Sequence, residues 1–274
     1  MMVEALVYFF VPALVGVLIG IASGLLGIGG GTVMVPIFRL AFGMSATMST
    51  ATSLFAIIPT SISGAISHVK GKTCIPALGI AAGLGGACLS PVGVWLAQLS
   101  PDWLVMLAAA LIIGYSAINM FKKAFKLRPA GQPVAGVDAA APTADDSSLS
   151  RKQLLQGAAI GLVAGLASGY VGVGGGFIMV PLMLSIIGIP MRKASGTSLI
   201  AVMILAIPGV IEQGIIGNIN YLAGIAIVIG TIPGAVIGAR LVTKVPERTL
   251  RLLFGCFLIV AAVMLVLNEA GIFG

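Results

Sequence analysis

The sequence predicts an all-α polytopic membrane protein made of two homologous halves, each with about five apolar segments. Of its 274 residues, 59% are hydrophobic and only 8% are charged, and the mean hydropathy is +1.16. About a quarter of the residues in a soluble domain are charged, so this chain has too few polar side chains to cover a surface in water. A long motif also occurs twice, which indicates a duplicated unit.

The two halves match at an offset of 145 residues. The stretch GVLIGIASGLLGIGGGTVMVPIF begins at Gly16, and its copy GLVAGLASGYVGVGGGFIMVPLM begins at Gly161. The match continues through the tripeptide TSL, which occurs at 52–54 and again at 197–199. A match of this length favours the duplication of a whole folding unit over a short shared motif.

A polar segment separates the two copies. Residues 128–150 read RPAGQPVAGVDAAAPTADDSSLS and are rich in Pro, Ala, Ser and Asp, without an apolar period. Such a composition predicts a flexible aqueous linker. The first transmembrane repeat is therefore expected over 1–127 and the second over 151–274.

Each repeat contains five apolar segments. They cover about 5–27, 30–43, 46–68, 74–98 and 103–121 in the first repeat, and about 154–172, 175–188, 194–214, 219–242 and 248–268 in the second. A helix needs roughly 20 residues to cross the hydrocarbon. The second segment of each repeat has only about 14 residues, or about 21 Å of helix against a core of roughly 30 Å. It is therefore either a broken helix that begins inside the membrane or a re-entrant segment.

The basic residues favour an inverted arrangement of the two repeats. If all ten segments cross and both termini lie outside, all of the 15 Lys and Arg residues except Arg39 lie on the inner side, as the positive-inside rule requires. Five crossings per repeat would make the repeats inverted copies. With re-entrant second segments, each repeat would have four crossings, and the charges would be divided between the two sides. The net charge of +7 is interpreted as this orientation signal, so no nucleic-acid partner is expected.

Two groups of glycines predict different structures. The first group has four-residue spacing, which lets helices pack closely in a membrane. Its members are Gly16, Gly20 and Gly24, Gly157, Gly161, Gly165 and Gly169, and Gly230, Gly234 and Gly238. The second group is clustered too densely for such packing and would weaken a continuous helix. Its members are Gly27, Gly29, Gly30 and Gly31, and their copies Gly172, Gly174, Gly175 and Gly176.

The clustered glycines are the candidate substrate site. Non-helical backbone at membrane depth occurs only where protein or a watery cavity surrounds it. Interrupted segments at matching positions of two repeats are the best sequence indication of a transporter's binding site. The helix that follows each cluster would present free N–H groups to an anion. The alternative is a tight turn between packed helices. A phosphate-binding loop is excluded because no Lys follows Gly31.

Hydroxyl side chains at equivalent positions could donate hydrogen bonds to a bound oxyanion. Ser23 and Ser168 precede the two clusters, while Thr52, Ser53, Thr197 and Ser198 lie near the start of the third segments, together with Ser49, Thr50 and Ser195. Alternatively, these hydroxyls bond to carbonyls of the preceding helical turn. His68 and Gln213 also match each other, and we expect both at the membrane surface.

Catalytic chemistry is not expected. No Asp, Glu, Lys or Arg lies in the middle of a predicted full-length span, and the chain contains a single His. An enzyme would need a nucleophile with a base, or a set of metal ligands. The sequence therefore predicts neither an enzyme nor a bound cofactor or metal, and it does not identify a coupling ion or an oligomeric state.

The doubled motif resembles the TauE/SafE family of membrane permeases, also called sulfite exporters. GIASGLLGIGGGTVMVP and GLASGYVGVGGGFIMVP, each followed by TSL, carry the resemblance, which covers both repeats. It implies a multi-pass permease of the bacterial cytoplasmic membrane for a small anion, such as sulfite, a sulfonate or another organosulfur anion. We expect alternating access, in which one repeat rocks against the other, with the anion between the two glycine clusters and the linker in the cytoplasm. An anion channel and a structural membrane subunit are the alternatives.

Overall fold

The computed structural model describes residues 2–126 and 150–269, and all regular structure in these two ranges is helical. The helices are α1 (Met2–Leu26), α2 (Gly31–Phe42), α3 (Ala46–Lys70), α4 (Pro76–Leu99), α5 (Asp102–Lys126), α6 (Arg151–Val171), α7 (Gly176–Leu182), α8 (Met191–Ile216), α9 (Tyr221–Leu241) and α10 (Glu247–Glu269). Each predicted apolar segment corresponds to one helix, and α7 continues in a π-helical turn, Met183–Ile187. The predicted linker lies outside the described residues except for Ser150, which caps α6.

The helix lengths agree with a polytopic membrane protein. Seven of the described helices, namely α3, α4, α5, α6, α8, α9 and α10, are long and apolar enough to cross a membrane. Their outward faces carry large apolar side chains such as Leu111, Leu155 and Ile215, which suit contact with lipid. The second helix of the first repeat has only 12 residues, or about 18 Å of helix. The short second segment of each repeat is confirmed.

The two repeats are intertwined. The first helix of each repeat packs along the fourth helix of the other, which gives the pairs α1 with α9 and α6 with α4. The third helices α3 and α8 pack on each other, as do the fifth helices α5 and α10. Each contact between the repeats thus has an equivalent, as expected from approximate twofold symmetry, and neither repeat buries its helices alone.

Glycines make the close pairs α1–α9 and α4–α6 possible. A Cβ atom placed on Gly161 would lie 1.9 Å from the carbonyl oxygen of Ala82 on α4. In the other pair, a Cβ atom on Gly230 would lie 1.8 Å from the carbonyl oxygen of Ala13 on α1. Real Cβ atoms do not approach oxygen so closely, so only glycine allows these backbones to meet. The packing role predicted for the four-residue glycine series is confirmed in both pairs.

The register of these contacts gives the relative direction of the helices. Along α1, Gly16, Gly20 and Gly24 face Ile227, Thr231 and Ala235 in turn, so α1 and α9 run parallel. Along α6, Gly161, Gly165 and Gly169 face Ala82, Gly86 and Ser90, so α6 and α4 are also parallel. In contrast, α3 and α8 are antiparallel, because the numbering rises on one as it falls on the other. Gly196 lies beside His68, Leu199 beside Gly64, and Gly209 beside Leu54.

Two equivalent carboxylates cap the third helices. Asp102, at the start of α5, accepts a hydrogen bond from the N–H of Ala46 at 3.2 Å. Its counterpart Glu247, at the start of α10, accepts one from the N–H of Met191, also at 3.2 Å. Each carboxylate satisfies an N–H group that has no acceptor within its own helix. The outer helices α5 and α10 are thereby fixed to α3 and α8 at the ends where these two helices begin.

Gly161→Val is expected to prevent stable assembly of α4 with α6. The added side chain would collide with backbone that cannot move without separating the helices, and overpacking typically costs about 1–3 kcal/mol or more. Gly114→Val on α5 is the matched control, because no atom lies within 4 Å of a Cβ atom at that position. Size-exclusion profiles and thermal unfolding of the detergent-solubilised proteins measure the difference. Equal stability of the two variants would contradict the assigned interface.

Candidate functional site

The clustered glycines form two loops that interrupt helical structure at equivalent positions. The first glycine loop, residues 27–31, joins α1 to α2, and the second glycine loop, residues 172–176, joins α6 to α7. Three glycines in each loop have positive φ, with φ of 75°, 80° and 89° at Gly27, Gly29 and Gly30. Side chains are strained in this left-handed region, so these positions favour glycine.

The two loops touch at the centre of the protein. A Cβ atom on Gly176 would lie 2.4 Å from the carbonyl oxygen of Gly27, and one on Gly31 would lie 2.5 Å from the carbonyl oxygen of Val173. Backbone of one repeat thus meets backbone of the other, with no room for a side chain. The structure brings the eight predicted glycines together, and all of them are buried.

Two aliphatic side chains, Ile57 on α3 and its counterpart Val202 on α8, lie against the loops. A Cβ atom on Gly29 would lie 2.9 Å from Cγ1 of Val202 and 3.3 Å from Cγ2 of Ile57. A Cβ atom on Gly174 would lie 2.8 Å from Cδ1 of Ile57, so Ile57 lies against both loops. These side chains close the centre around the loops.

Buried hydroxyl groups without hydrogen-bond partners lie on the helices that carry or cover the loops. Within the described part of the chain, the buried hydroxyl oxygens of Ser23, Thr32, Ser53, Ser61 and Ser168 lack a partner. Leaving a buried hydroxyl unsatisfied costs about 1–3 kcal/mol, and native proteins rarely do so without a role for the group. Three of the five, Ser23, Ser53 and Ser168, are sequence candidates.

Thr32 and Ser61 were not among the site residues predicted from the sequence. Their counterparts in the second repeat are Phe177 and Ala206, so a search for matched hydroxyls does not find them. Ser61 Oγ lies 3.4 Å from the position of a Cβ atom on Gly29, beside the first loop. Its signal in the sequence was its spacing of eight residues from Ser53, which places both on one side of α3.

Three of the other candidate hydroxyls have partners within the protein. Thr197 Oγ1 accepts from the N–H of Ile75 at 2.9 Å, while Thr52 Oγ1 accepts from the N–H of Asn220 at 3.0 Å. Both bonds join the two repeats and cap the starts of α4 and α9. Ser198 Oγ is 2.7 Å from the carbonyl oxygen of Gly27, to which it donates. Ser198 therefore supports the first loop, while Thr52 and Thr197 join the repeats at the starts of α9 and α4.

His68 closes the end of α1 just before the first loop. Its Nε2 lies 2.7 Å from the carbonyl oxygen of Gly24, and its Nδ1 lies 2.7 Å from Oγ1 of Thr73. Gly24 is in the last turn of α1, where carbonyls have no donor within the helix. The side chains of His68 and Gln213 are buried within the protein, 0% and 1% exposed, near the ends of α3 and α8, and their expected depth at the membrane surface stays a prediction. Gln213 instead accepts a hydrogen bond from Asn218.

The site offers neutral donors to a ligand. The start of α2 has no side-chain cap, since its N-cap residue is Gly30. The first N–H groups of a helix lack intrahelical acceptors and carry part of the positive end of the helix dipole. The N–H groups of Val33 and Met34 donate to the carbonyl oxygen of Gly30, so the donors left for a ligand are the N–H groups of Gly31 and Thr32 and the hydroxyls of Ser23 and Thr32. Such a group can bind an anion without a charged side chain.

Comparison with known proteins gives a consistent picture. The family model for the sulfite exporter TauE/SafE matches residues 12–265. The chain is 28% identical to the probable membrane transporter protein YunE of Bacillus subtilis, over 94% of this chain and 97% of that protein. It is 29% identical to a probable membrane transporter protein of Haemophilus influenzae, over 93% of this chain and 97% of that protein. No solved structure matches the chain significantly.

His68→Gln is expected to preserve the fold, whereas His68→Leu is expected to destabilise it. Glutamine can still donate to the Gly24 carbonyl and is the residue at the equivalent position 213. Leucine fills similar space but leaves that carbonyl unsatisfied, at a cost of about 1–3 kcal/mol. Thermal unfolding in detergent compares the two variants. If both unfold at the same temperature, the capping role of His68 is wrong.

Proposed function

The chain belongs to the sulfite exporter TauE/SafE family of membrane transporters, and we propose that it is a secondary transporter for a small anion. The proposed substrate is sulfite, a sulfonate or another organosulfur anion, and the proposed location is the bacterial cytoplasmic membrane. One observation carries the proposal. Two glycine loops, one from each repeat, meet in the buried centre beside hydroxyl groups that have no partner among the described residues.

In this proposal, the anion binds where the two loops meet. Backbone N–H groups at the start of α2 donate to it, together with the hydroxyls of Ser23, Ser53 and Ser168. The glycines of both loops let the backbone approach the anion closely. Thr52, Thr197 and Ser198 act through their cross-repeat hydrogen bonds, which hold the loops and the adjoining helix ends in position.

The closed centre supports a carrier over a channel. All fourteen of the sequence-predicted site residues are buried, so an anion could reach them only after helices move. We propose alternating access, in which the site opens to one side and then to the other. The glycine-mediated pairs α1–α9 and α4–α6 join helices from different repeats. The moving bodies are therefore proposed to be mixed, with α1, α3 and α9 in one and α4, α6 and α8 in the other.

We propose further that the two repeats have inverted topology. Gly24 on α1 lies beside Gly64 and His68 on α3, while Gly20 lies beside Thr231, which contacts Thr60. The numbering rises together, so α1 and α3 run parallel, and the chain must return between them through the first loop and α2. This parallel direction supports an odd number of passages per repeat, which agrees with the distribution of Lys and Arg.

The inverted topology predicts that the linker and the C-terminus lie on opposite sides of the membrane. An epitope tag inserted within residues 128–149 is expected to be accessible only from the cytoplasm, and a tag at the C-terminus only from outside. Protease protection in intact and inverted vesicles distinguishes the two locations. Both tags on the same side would rule out inversion.

The proposed function predicts saturable anion flux by the purified protein in proteoliposomes. The test panel is sulfite, sulfate, thiosulfate, taurine, sulfoacetate and simple carboxylates, each with and without a pH gradient. Saturation and dependence on a counter-ion are expected of a carrier. Flux that rises linearly with concentration would favour a channel, and no flux for any anion would favour a structural subunit.

Gly30→Val and Gly175→Val are expected to abolish that flux while the protein still inserts into the membrane. Both glycines have positive φ, so a side chain would strain the loop and redirect its N–H groups. Gly43→Val is the control, because Gly43 has a φ of 62° but no atom within 4 Å of an added Cβ. Normal flux in both loop variants would refute the site.

A further inference from the structure

The helix α3 carries a row of buried side chains beside the loops. Ser49, Ser53, Ile57 and Ser61 follow one another at four-residue intervals, and each is 0% exposed. We call these four residues the α3 stripe. Residues four apart are neighbours on a helix, so the serines continue above and below Ile57. Within the described ranges, the hydroxyl oxygens of all three serines lack a hydrogen-bond partner.

The equivalent positions on α8 are different in chemistry. They are Ala194, Ser198, Val202 and Ala206. The single hydroxyl among them belongs to Ser198, and it donates a hydrogen bond to the carbonyl oxygen of Gly27 at 2.7 Å. The second repeat forms the same helix with alanine at the positions that match Ser49 and Ser61, so the fold does not need hydroxyls there. Three unsatisfied hydroxyls on α3 alone carry a cost that the packing does not explain.

Ile57 divides the α3 stripe at the point where the glycine loops meet. Its Cδ1 lies 2.5 Å from the position of a Cβ atom on Gly31 and 2.8 Å from that on Gly174. Ser61, one turn away, lies beside Gly29 of the first loop. Free hydroxyls thus lie on each side of an aliphatic side chain that is wedged between the loops.

On the basis of the proposed transport function, we propose that the α3 stripe is the path of the anion through the protein and that Ile57 is its constriction. Successive positions are separated by about 6 Å along the helix axis. An oxyanion has several acceptor oxygens, so it can keep one hydroxyl while it approaches the next. The matched positions on α8 offer no free hydroxyl, because that of Ser198 donates to Gly27. The substrate therefore travels off the approximate symmetry axis, along one repeat.

Cysteine labelling tests the path without knowledge of the substrate. The background has Cys74, Cys88 and Cys256 replaced by alanine, and single cysteines are introduced at Ser53, Ser61, Ser198 or Ala206. The probe is the anionic thiol reagent 2-sulfonatoethyl methanethiosulfonate, applied to proteoliposomes. Ser53→Cys and Ser61→Cys are expected to react at least about tenfold faster than Ser198→Cys and Ala206→Cys. A ratio of about tenfold is what one charge-assisted hydrogen bond gives, here from a remaining α3 hydroxyl to the sulfonate of the reagent. Size-exclusion profiles confirm that each variant is folded.

The outcomes separate this inference from the proposed function. Equal labelling of matched positions on α3 and α8, or no labelling on α3, overturns the path even if the protein transports anions. Faster labelling on α3 supports the path. If the anion panel also gives no flux, the α3 stripe is an anion-accessible path and the transporter proposal fails.

Ile57 gives a second readout. Ile57→Ala is expected to accelerate labelling of Ser53→Cys and Ser61→Cys at least about tenfold, because the constriction widens, whereas Val202→Ala has a smaller effect. Equal acceleration by the two alanine variants would overturn the assignment of Ile57 as the constriction.

Discussion

The fold depends on one constraint, which is that backbone polar groups in the hydrocarbon region need partners inside the protein. The glycine loops break α1 and α6 and release N–H and carbonyl groups at depth. Each loop is covered by the other loop and by α3 and α8, and a side chain, His68, caps the end of α1. This cover exists only because α1 lies on α9 and α6 lies on α4. The close helix pairs and the broken helices therefore depend on each other. Glycine is needed in both, in the pairs because their backbones approach closely and in the loops because φ is positive.

Much of this architecture could be predicted from the sequence because its signals are periodic or repeated. The apolar segments, the four-residue glycine series and the doubled loops all follow from spacing alone. The partners of Thr52 and Thr197 could not be predicted, since each caps a helix of the other repeat across a long stretch of sequence. The burial of His68 was missed for the same reason. A polar side chain near a helix end suggests a surface position unless its partner is known.

The repeats share a backbone plan but differ in polarity around the centre. The residues of the second repeat that match Thr32 and Ser61 are apolar, namely Phe177 and Ala206. Thr60 bonds to Thr231, whereas its match in the second repeat, Leu205, packs on Gly86. Repeat symmetry therefore locates the site but does not describe its chemistry. The unmatched residues contain the information about which side of the site is polar, and sequence comparison between the halves hides them.

The pairing of α1 with α9 also affects how the protein is made. The glycine face of α1 is synthesised before α2 to α8, and the helix that covers it, α9, begins only at Tyr221. Until α9 is inserted, α1 can rest only against lipid or other early helices, and the break at its end lacks its final cover. Contacts between such distant segments form late and slowly. Biogenesis must therefore keep an incomplete bundle in the bilayer until α9 has emerged from the ribosome.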